Sequence, residues 1–225
     1  MVAASIVAIL ALAVLPMLYL RDMAREKRQR SLLFEPCLDL FPRYRVTQEG
    51  RNYPVLTGDY AGHLVRLEPV LDTMAARKLP SLWLKLTLLQ PNPARPVFSF
   101  LMRPDGNEFY SPNREMAHRC AIPPSWPNNA LFCADEDDGE LKTRLDTHMG
   151  VFTDPHAKEL VASPVGVRLV YQIAQAERAH YLVLRQARFE KPVADPAVVR
   201  MLLDSAIEIA ASLDRRDDAI AARAA

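Results

Sequence analysis

The feature that most constrains this chain is an uncharged run of nineteen residues, 2–20, at its amino terminus. At about 1.5 Å per residue, a helix of that length extends about 28 Å, close to the thickness of a bilayer's hydrocarbon core. Ten of the nineteen are Leu, Ile or Val, which favour insertion. No basic side chain precedes the run, and no small-residue cleavage site follows it, as a removable signal would require. The run therefore predicts a retained transmembrane anchor, rather than a signal peptide or a buried core helix.

Directly after this run, residues 21–30 form a basic flank with Arg21, Arg25, Lys27, Arg28 and Arg30. Flanks rich in Lys and Arg stay in the cytoplasm. The flank therefore predicts a single-pass signal-anchor protein of a bacterial-type inner (plasma) membrane, with its domain in the cytoplasm. The same side chains can also contact anionic lipid, but a topology signal is the preferred interpretation.

The rest of the chain is long enough for one folded domain, which we predict over 31–213, with a frayed tail at 214–225. The whole chain carries a formal net charge of +1, and the basic flank alone contributes +3. The remainder is near −2, so it lacks the basic surface that nucleic-acid binding requires. We predict no nucleic-acid partner.

The first part of the domain shows the alternation of apolar and polar residues that is typical of strands. The glycines at 58 and 62 predict a hairpin turn near 59–62, and the Pro-Asp-Gly sequence at 104–106 predicts a second turn. The arrangement predicts an antiparallel meander. Its most regular predicted strands are 64–71, 82–89, 97–103 and 107–110.

The second part, 111–146, is predicted as a long loop, and loops of that length are usually functional or disordered. Beyond it, three Asp-Pro or Ser-Pro pairs, at 154–155, 163–164 and 195–196, predict helix starts, with a capping residue followed by Pro. Apolar residues at helical spacing follow the second and third pairs, and 181–188 alternates as a strand. The predicted class is α+β, an antiparallel sheet with helices packed at one side.

The sequence contains none of the common catalytic or nucleotide-binding motifs: GxxxxGK[ST], GxGxxG, GxSxG and HExxH are all missing. The acidic run 135–138 before Gly139 suggests a calcium loop. Aligning Gly139 with the sixth loop position puts Ala134 first and Leu145 twelfth, where carboxylates are needed. A solvated acidic loop is preferred, and we predict no cofactor.

Four residues could hold zinc, because His118, Cys120, Cys133 and His148 are of ligand type. Their spacing matches no standard zinc motif, so a coincidental grouping is preferred. A Cys120–Cys133 disulfide is the other possibility, although a cytoplasmic domain would keep both thiols reduced. For Cys37 the default is a small buried apolar side chain.

A weak candidate for partner binding lies in the long loop, at Trp126 with Pro124 and Asn128. An exposed Trp is a common interface anchor, but a Trp also often packs its own loop onto the domain. The packing interpretation is preferred for Trp126.

Two functions of different class follow from these observations. In the first, the chain is a membrane-anchored, non-enzymatic module that contacts the bilayer through residues 2–20 and binds an unknown partner protein. In the second, it is a tethered hydrolase-like enzyme whose site is assembled in space, for example from His118 and His148 with Asp135 or Asp137. The first is preferred, because it accounts for the anchor, the balanced charge and the missing motifs. A pocket with convergent ionisable groups would favour the second.

Overall fold

A computed structural model of the protein describes the backbone of residues 2–73, 79–178, 181, 187, 189–190 and 192–224. Within these ranges, side chains are described from Val14 to Asp214. The described residues form an α+β structure with one antiparallel sheet of nine strands, in the order β1-β2-β3-β4-β9-β8-β5-β7-β6. The strands are β1 (Tyr44–Thr47), β2 (Val55–Tyr60), β3 (His63–Asp72), β4 (Ser81–Leu89), β5 (Phe98–Met102), β6 (His118–Cys120), β7 (Ala130–Ala134), β8 (Ala157–Ser163) and β9 (Gly166–Gln175).

The meander predicted for the first part of the domain is confirmed for β1 to β4. The β2–β3 hairpin pairs Tyr60 with His63, and its two turn residues, Ala61 and Gly62, have φ of +48° and +83°. Two positive φ angles in a row are what a two-residue hairpin loop with the right twist requires. On β4 the alternate leucines are fully buried on one face of the sheet, namely Leu82, Leu84, Leu86 and Leu88.

The sheet thus has a first face, which carries the main apolar core, and a second face, which is largely polar. Helix α3 (Pro196–Ala224) packs against β4 and β9 on the first face. The predicted cap is confirmed, because an Asp195 carboxylate oxygen accepts a hydrogen bond from the Ala197 N–H at 2.8 Å. The predicted apolar stripe is also confirmed, and its fully buried members are Val199, Leu202, Leu203, Ala206, Ile209, Ala210 and Leu213.

Helix α1 (Val2–Ser31) is attached firmly to the domain at its carboxyl-terminal end. Arg30 pairs with Glu26 at 2.6 Å, donates to the Arg51 carbonyl at 2.6 Å and lies 5.0 Å from the centre of the Tyr53 ring. Leu33 follows directly and is fully buried in the core. The helix therefore runs into the folded domain without a linker.

The residues after the Ser163-Pro164 pair, which were predicted to form a helix, instead form strand β9. Ser163 and Pro164 belong to the tight β8–β9 hairpin, in which Ser163 pairs with Gly166. A Cβ at Gly166 would lie 1.9 Å from the Leu88 carbonyl oxygen, so only glycine allows β4 to approach here. Because β9 is in the middle of the sheet, apolar residues face both sides and mask its period of two.

Two other predictions are corrected in the middle of the chain. The 111–146 segment is not an unstructured loop, because it contains β6, β7 and helix α2 (Gly139–Asp146). Residues 107–110 are not a strand, and β5 pairs instead with β7 and β8. The predicted strand 181–188 lies outside the described residues, except for 181 and 187. The tail predicted to fray from 214 continues α3 as far as Ala224.

For the part of the chain that the structure describes, no helix combines the length and the apolar character that crossing a membrane would need. The predicted span at 2–20 is helical, but its side chains are described only from Val14 onward. The structure therefore does not describe most of the side chains of the predicted span.

Candidate functional site

The principal candidate site is a cavity of about 270 Å³ beside the end of β9. Strand β9 extends beyond Tyr171, which pairs with the first residue of β8, so β8 does not flank its last residues. The space is closed by the start of α3 and the segment before it. We call it the His156 cavity; it is lined by His156, Tyr171, Gln172, Ile173, Ala174, Gln175, Val193, Asp195 and Val198.

One carboxylate organises the polar wall of this cavity. Asp154 Oδ1 accepts a hydrogen bond from the His156 backbone N–H at 2.8 Å and lies 2.9 Å from His156 Nδ1. Asp154 Oδ2 accepts a hydrogen bond from the Tyr171 hydroxyl at 2.8 Å. When Nδ1 carries the proton that Asp154 accepts, Nε2 is the basic nitrogen of the ring. The carboxylate thus fixes the orientation of both rings.

These contacts shift two ionisation equilibria in the site. Burial alone would raise the pKa of Asp154, but the hydrogen bonds from the His156 backbone, Tyr171 and the His156 ring together hold it below its usual value. Burial, followed by the hydrogen bond to Asp154 and the charges of Asp154 and Asp195, raises the pKa of Tyr171 to about 12. Tyr171 therefore stays a neutral donor, and Asp154 stays ionised.

The chemistry that this arrangement favours is proton transfer. A His held by a carboxylate is the arrangement of a general base. Among the described residues that line the cavity, none is Ser, Thr, Cys or Lys, the usual nucleophiles. For hydrolysis at this position, a water molecule is the attacking group that His156 Nε2 is placed to activate.

A second polar cluster lies on the second face of the sheet around Glu159, whose side chain has no exposed surface. Glu159 Oε1 accepts hydrogen bonds from the hydroxyls of Ser99, at 2.7 Å, and Ser111. Oε2 lies 3.8 Å from an Arg168 nitrogen and has no hydrogen bond among the described residues. Burial raises the pKa of Glu159, and the hydrogen bond from Ser111 and the charge of Arg168 only partly offset the effect.

A backbone irregularity explains why two charged neighbours share this face. The register between β8 and β9 shifts between Ala157 and Glu159, so Lys158 and Glu159 both reach the second face. Lys158 pairs with Glu108 at 2.8 Å and lies 5.9 Å from the centre of the Trp83 ring. These contacts fasten the loop after β5 onto the sheet.

The four residues considered for zinc are not assembled into a site. In the part of the chain that is described, no three His, Cys, Asp or Glu side chains are grouped to hold a metal ion. Cys120 pairs with Phe132 and the next strand residue, Cys133, pairs with Arg119, so the two thiols lie on opposite faces of the sheet. Because they lie on opposite faces, Cys120 and Cys133 are not placed to form a disulfide with each other. All three cysteines are buried free thiols.

The residues of the proposed His118–His148 enzyme site are placed on different elements. His118 begins β6, and His148 precedes the short 3-10 helix Met149–Thr153. Asp137 forms an ion pair with Lys142 at 2.6 Å, and this hydrogen bond is the main reason that its pKa is lowered. Asp135 is exposed at the end of β7.

Trp126 is a core residue, as the packing interpretation expected. It is 3% exposed, and its ring contacts the rings of Phe100 and Phe132 at centroid distances of 5.3 and 5.4 Å. Its indole N–H donates to Asp146 at 3.0 Å. Trp126 therefore fastens its loop to the domain, while Pro124 and Asn128 remain exposed.

The basic flank is mostly exposed along α1. Arg21, Arg25, Lys27 and Arg28 are solvent-accessible, whereas Arg30 is occupied by its contacts with the domain.

Sequence reasoning missed His156, although Asp154-Pro155-His156 carries the signal: a carboxylate two residues before a His can accept hydrogen bonds from its backbone and its ring. Nothing local could have linked this pair to Tyr171.

No protein-family model matches this chain, and a search of curated proteins also found no match. The fold of the described residues defines the class: an α+β domain whose antiparallel sheet has nine strands in the part of the chain that the structure describes.

Proposed function

We propose that this chain is a membrane-anchored module that binds a partner protein at a bacterial-type inner membrane. In this proposal residues 2–20 cross the bilayer, the basic flank lies at the cytoplasmic surface, and the α+β domain projects into the cytoplasm.

The observation that carries the anchor is the exposure of apolar side chains on α1. From Val14 to Leu20 every residue is exposed, and Leu15 and Met17 are 64% and 69% accessible. Burying a Leu or Met is worth about 1.5–3 kcal/mol, so a lipid environment would stabilise this segment strongly. Among the described residues nothing in the domain covers it.

The attachment of α1 supports a domain held close to the membrane surface. Glu26, where contacts with the domain begin, lies six positions after Leu20, which corresponds to about 9 Å of helix. Gln48 adds a hydrogen bond from its amide to the Lys27 carbonyl at 3.1 Å. A module fixed in this way would present the same surfaces to a membrane-bound partner at all times.

The partner surface in this proposal is the exposed part of the loop before β7. Trp126 holds the loop on the core, so Pro124 and Asn128 are presented on a fixed backbone. A fixed loop loses little conformational entropy on binding.

The anchor is tested by membrane fractionation of the full chain. Leu10→Arg with Leu12→Arg should release the protein from carbonate-washed membranes, because each Arg near the centre of a span costs about 2.5–3.5 kcal/mol. Leu64→Arg, at an exposed position of the domain, is the matched control. Release of the unmodified protein by carbonate would overturn the anchor.

The partner surface is tested separately with a photo-crosslinking amino acid at position 128 in living cells. The proposal expects a discrete crosslinked band, and one absent when the same group replaces Asn107, an exposed residue elsewhere on the domain. Equal crosslinking at both positions, or none at position 128, would contradict the proposed surface.

A second candidate function, a hydrolase-like enzyme, is favoured by one observation: His156 is held by Asp154 at the wall of a cavity. His156 Nε2 would take a proton from water as the water oxygen attacks an ester carbonyl, and the proton would pass to the leaving alcohol. Removing a general base typically costs 10²–10⁴-fold in rate. Hydrolysis of small esters by the full chain that His156→Gln abolishes would support this candidate; unaltered activity would exclude it.

A further inference from the structure

We propose that the His156 cavity binds a small organic cation, a protonated primary amine with a short apolar body. The inference concerns binding alone, so it is independent of the anchor and of the partner surface. The cavity is the one that the second candidate function uses, and the proposed ligand class does not depend on whether His156 acts as a base.

The charges around the cavity favour a cation. Among its described lining residues none is Lys or Arg, while Asp195 is part of the wall and Asp154 lies directly behind the His156 and Tyr171 rings. The amino terminus of α3 contributes about half a positive charge, which the full charge of the capping Asp195 exceeds. Burial is the largest cause of the raised Tyr171 pKa, and the hydrogen bond to Asp154 and the charges of Asp154 and Asp195 add to it.

The unused hydrogen-bonding capacity fits an ammonium group. Asp195 uses Oδ1 to accept from the Ala197 N–H, and in the described part of the chain its second carboxylate oxygen remains as an acceptor. In the tautomer in which His156 Nδ1 donates to Asp154, His156 Nε2 is a further acceptor. Gln172 and Gln175 are two further polar residues of the wall. An ammonium group carries three donors and no acceptor, which complements such a set.

The size and the apolar wall limit the rest of the ligand. A volume of about 270 Å³ is at the lower end of small-molecule sites. Val193, Ile173 and Val198 line the cavity, and Val193 is 50% exposed. A chain of about four carbons attached to the amine would cover this apolar surface, which favours binding in proportion to the area buried.

A protonated amine could be a free metabolite or the side chain of a lysine in a peptide. Calorimetric titration of the full chain in detergent distinguishes these sources with two probes, n-butylammonium and N-acetyl-lysine methylamide. Binding of the first alone assigns the cavity to free amines, and binding of the second shows that it accepts lysine side chains. 1-Butanol and butyrate are the neutral and anionic controls.

The expected result is that at least one amine binds with a millimolar or lower Kd and that butanol and butyrate bind at least tenfold more weakly. Asp195→Asn should weaken amine binding at least tenfold, and it keeps the helix cap, since Asn caps as well as Asp. Asp204→Asn, which removes a carboxylate of α3 that pairs with Tyr60 rather than lining the cavity, is the matched control and should bind normally.

No amine binding, equal binding of butanol, or equal effects of the two Asn variants would overturn the proposal. Amine binding without ester hydrolysis would leave the proposal standing while excluding the second candidate function. The proposal of amine binding and the second candidate function can therefore fail separately.

Discussion

Replacing Glu159 with Gln tests how the second face of the sheet is stabilised. Glu159 is fully buried, and its carboxyl group is compensated mainly by two serine hydroxyls and by Arg168 at 3.8 Å. Burial raises its pKa in the folded protein above the value in the unfolded chain. Gln has the same shape, keeps a carbonyl oxygen for the serine hydroxyls and cannot ionise.

The sign of the effect follows from proton linkage. A raised pKa in the folded state means that the stabilising effect of the bound proton is complete below the unfolded pKa, about 4.3, and is lost as the pH rises through the folded pKa. Between these two values stability falls by up to about 1.4 kcal/mol per pH unit. The amide side chain of the Glu159→Gln variant should not contribute to this slope.

We therefore expect Glu159→Gln to have its smallest effect on stability at pH 5 and to stabilise the domain by about 1–3 kcal/mol at pH 8. In a domain of this size, 1 kcal/mol corresponds to roughly 2–4 °C in melting temperature. Arg168 remains partly exposed at 24%, so it keeps some hydration after its partner is neutralised.

The assay is urea unfolding of the full chain in detergent at pH 5, 6.5 and 8, followed by tryptophan fluorescence. Glu68→Gln is the matched control, because Glu68 pairs with Lys85 at 3.1 Å on the same face but is 34% exposed. Pairs of that kind contribute about 0–1 kcal/mol. If Glu159→Gln instead destabilises the domain by about 3–5 kcal/mol at pH 8, Glu159 is an ionised partner of Arg168 and the reasoning is wrong.

Three further outcomes are expected. Leu202→Ala should lower the free energy of unfolding in urea by about 2–5 kcal/mol, because Leu202 is fully buried on the face of α3 that packs on the sheet. A loss below about 1 kcal/mol would contradict that packing. Trp126→Ala should cost about 3–5 kcal/mol by the same measurement, whereas an interface role alone would leave stability unchanged. Testing the membrane topology requires a new, exposed thiol, because the native cysteines are buried. Asn107→Cys should react with impermeant maleimide only after spheroplast lysis, and labelling before lysis would place the domain outside the cytoplasm.

Some of this structure is decided by short-range pattern and can be predicted from sequence. On β4 the alternate leucines share one buried face, and α3 buries one apolar stripe, so a period of two or of 3.6 is visible in their residues. The β2–β3 turn and the Asp195 cap depend on residues within a few positions of each other. In each case the physical cause is local, which is why the prediction holds.

The strand β9 and the candidate site are decided by the tertiary structure. Val167 and Leu169 face the main core while Val170 packs with Trp83 on the second face, so burial on both sides removes the period that identifies a strand. The Asp154–His156 pair is local, but its cavity exists because β9 and the start of α3 come together there. The buried state of Glu159 likewise requires a bulge in β8 and a loop from elsewhere in the chain. When an element buries only one face, the spacing of its apolar residues shows which face that is. Burial on the second face, or contact with a side chain from a distant segment, leaves no period in the sequence.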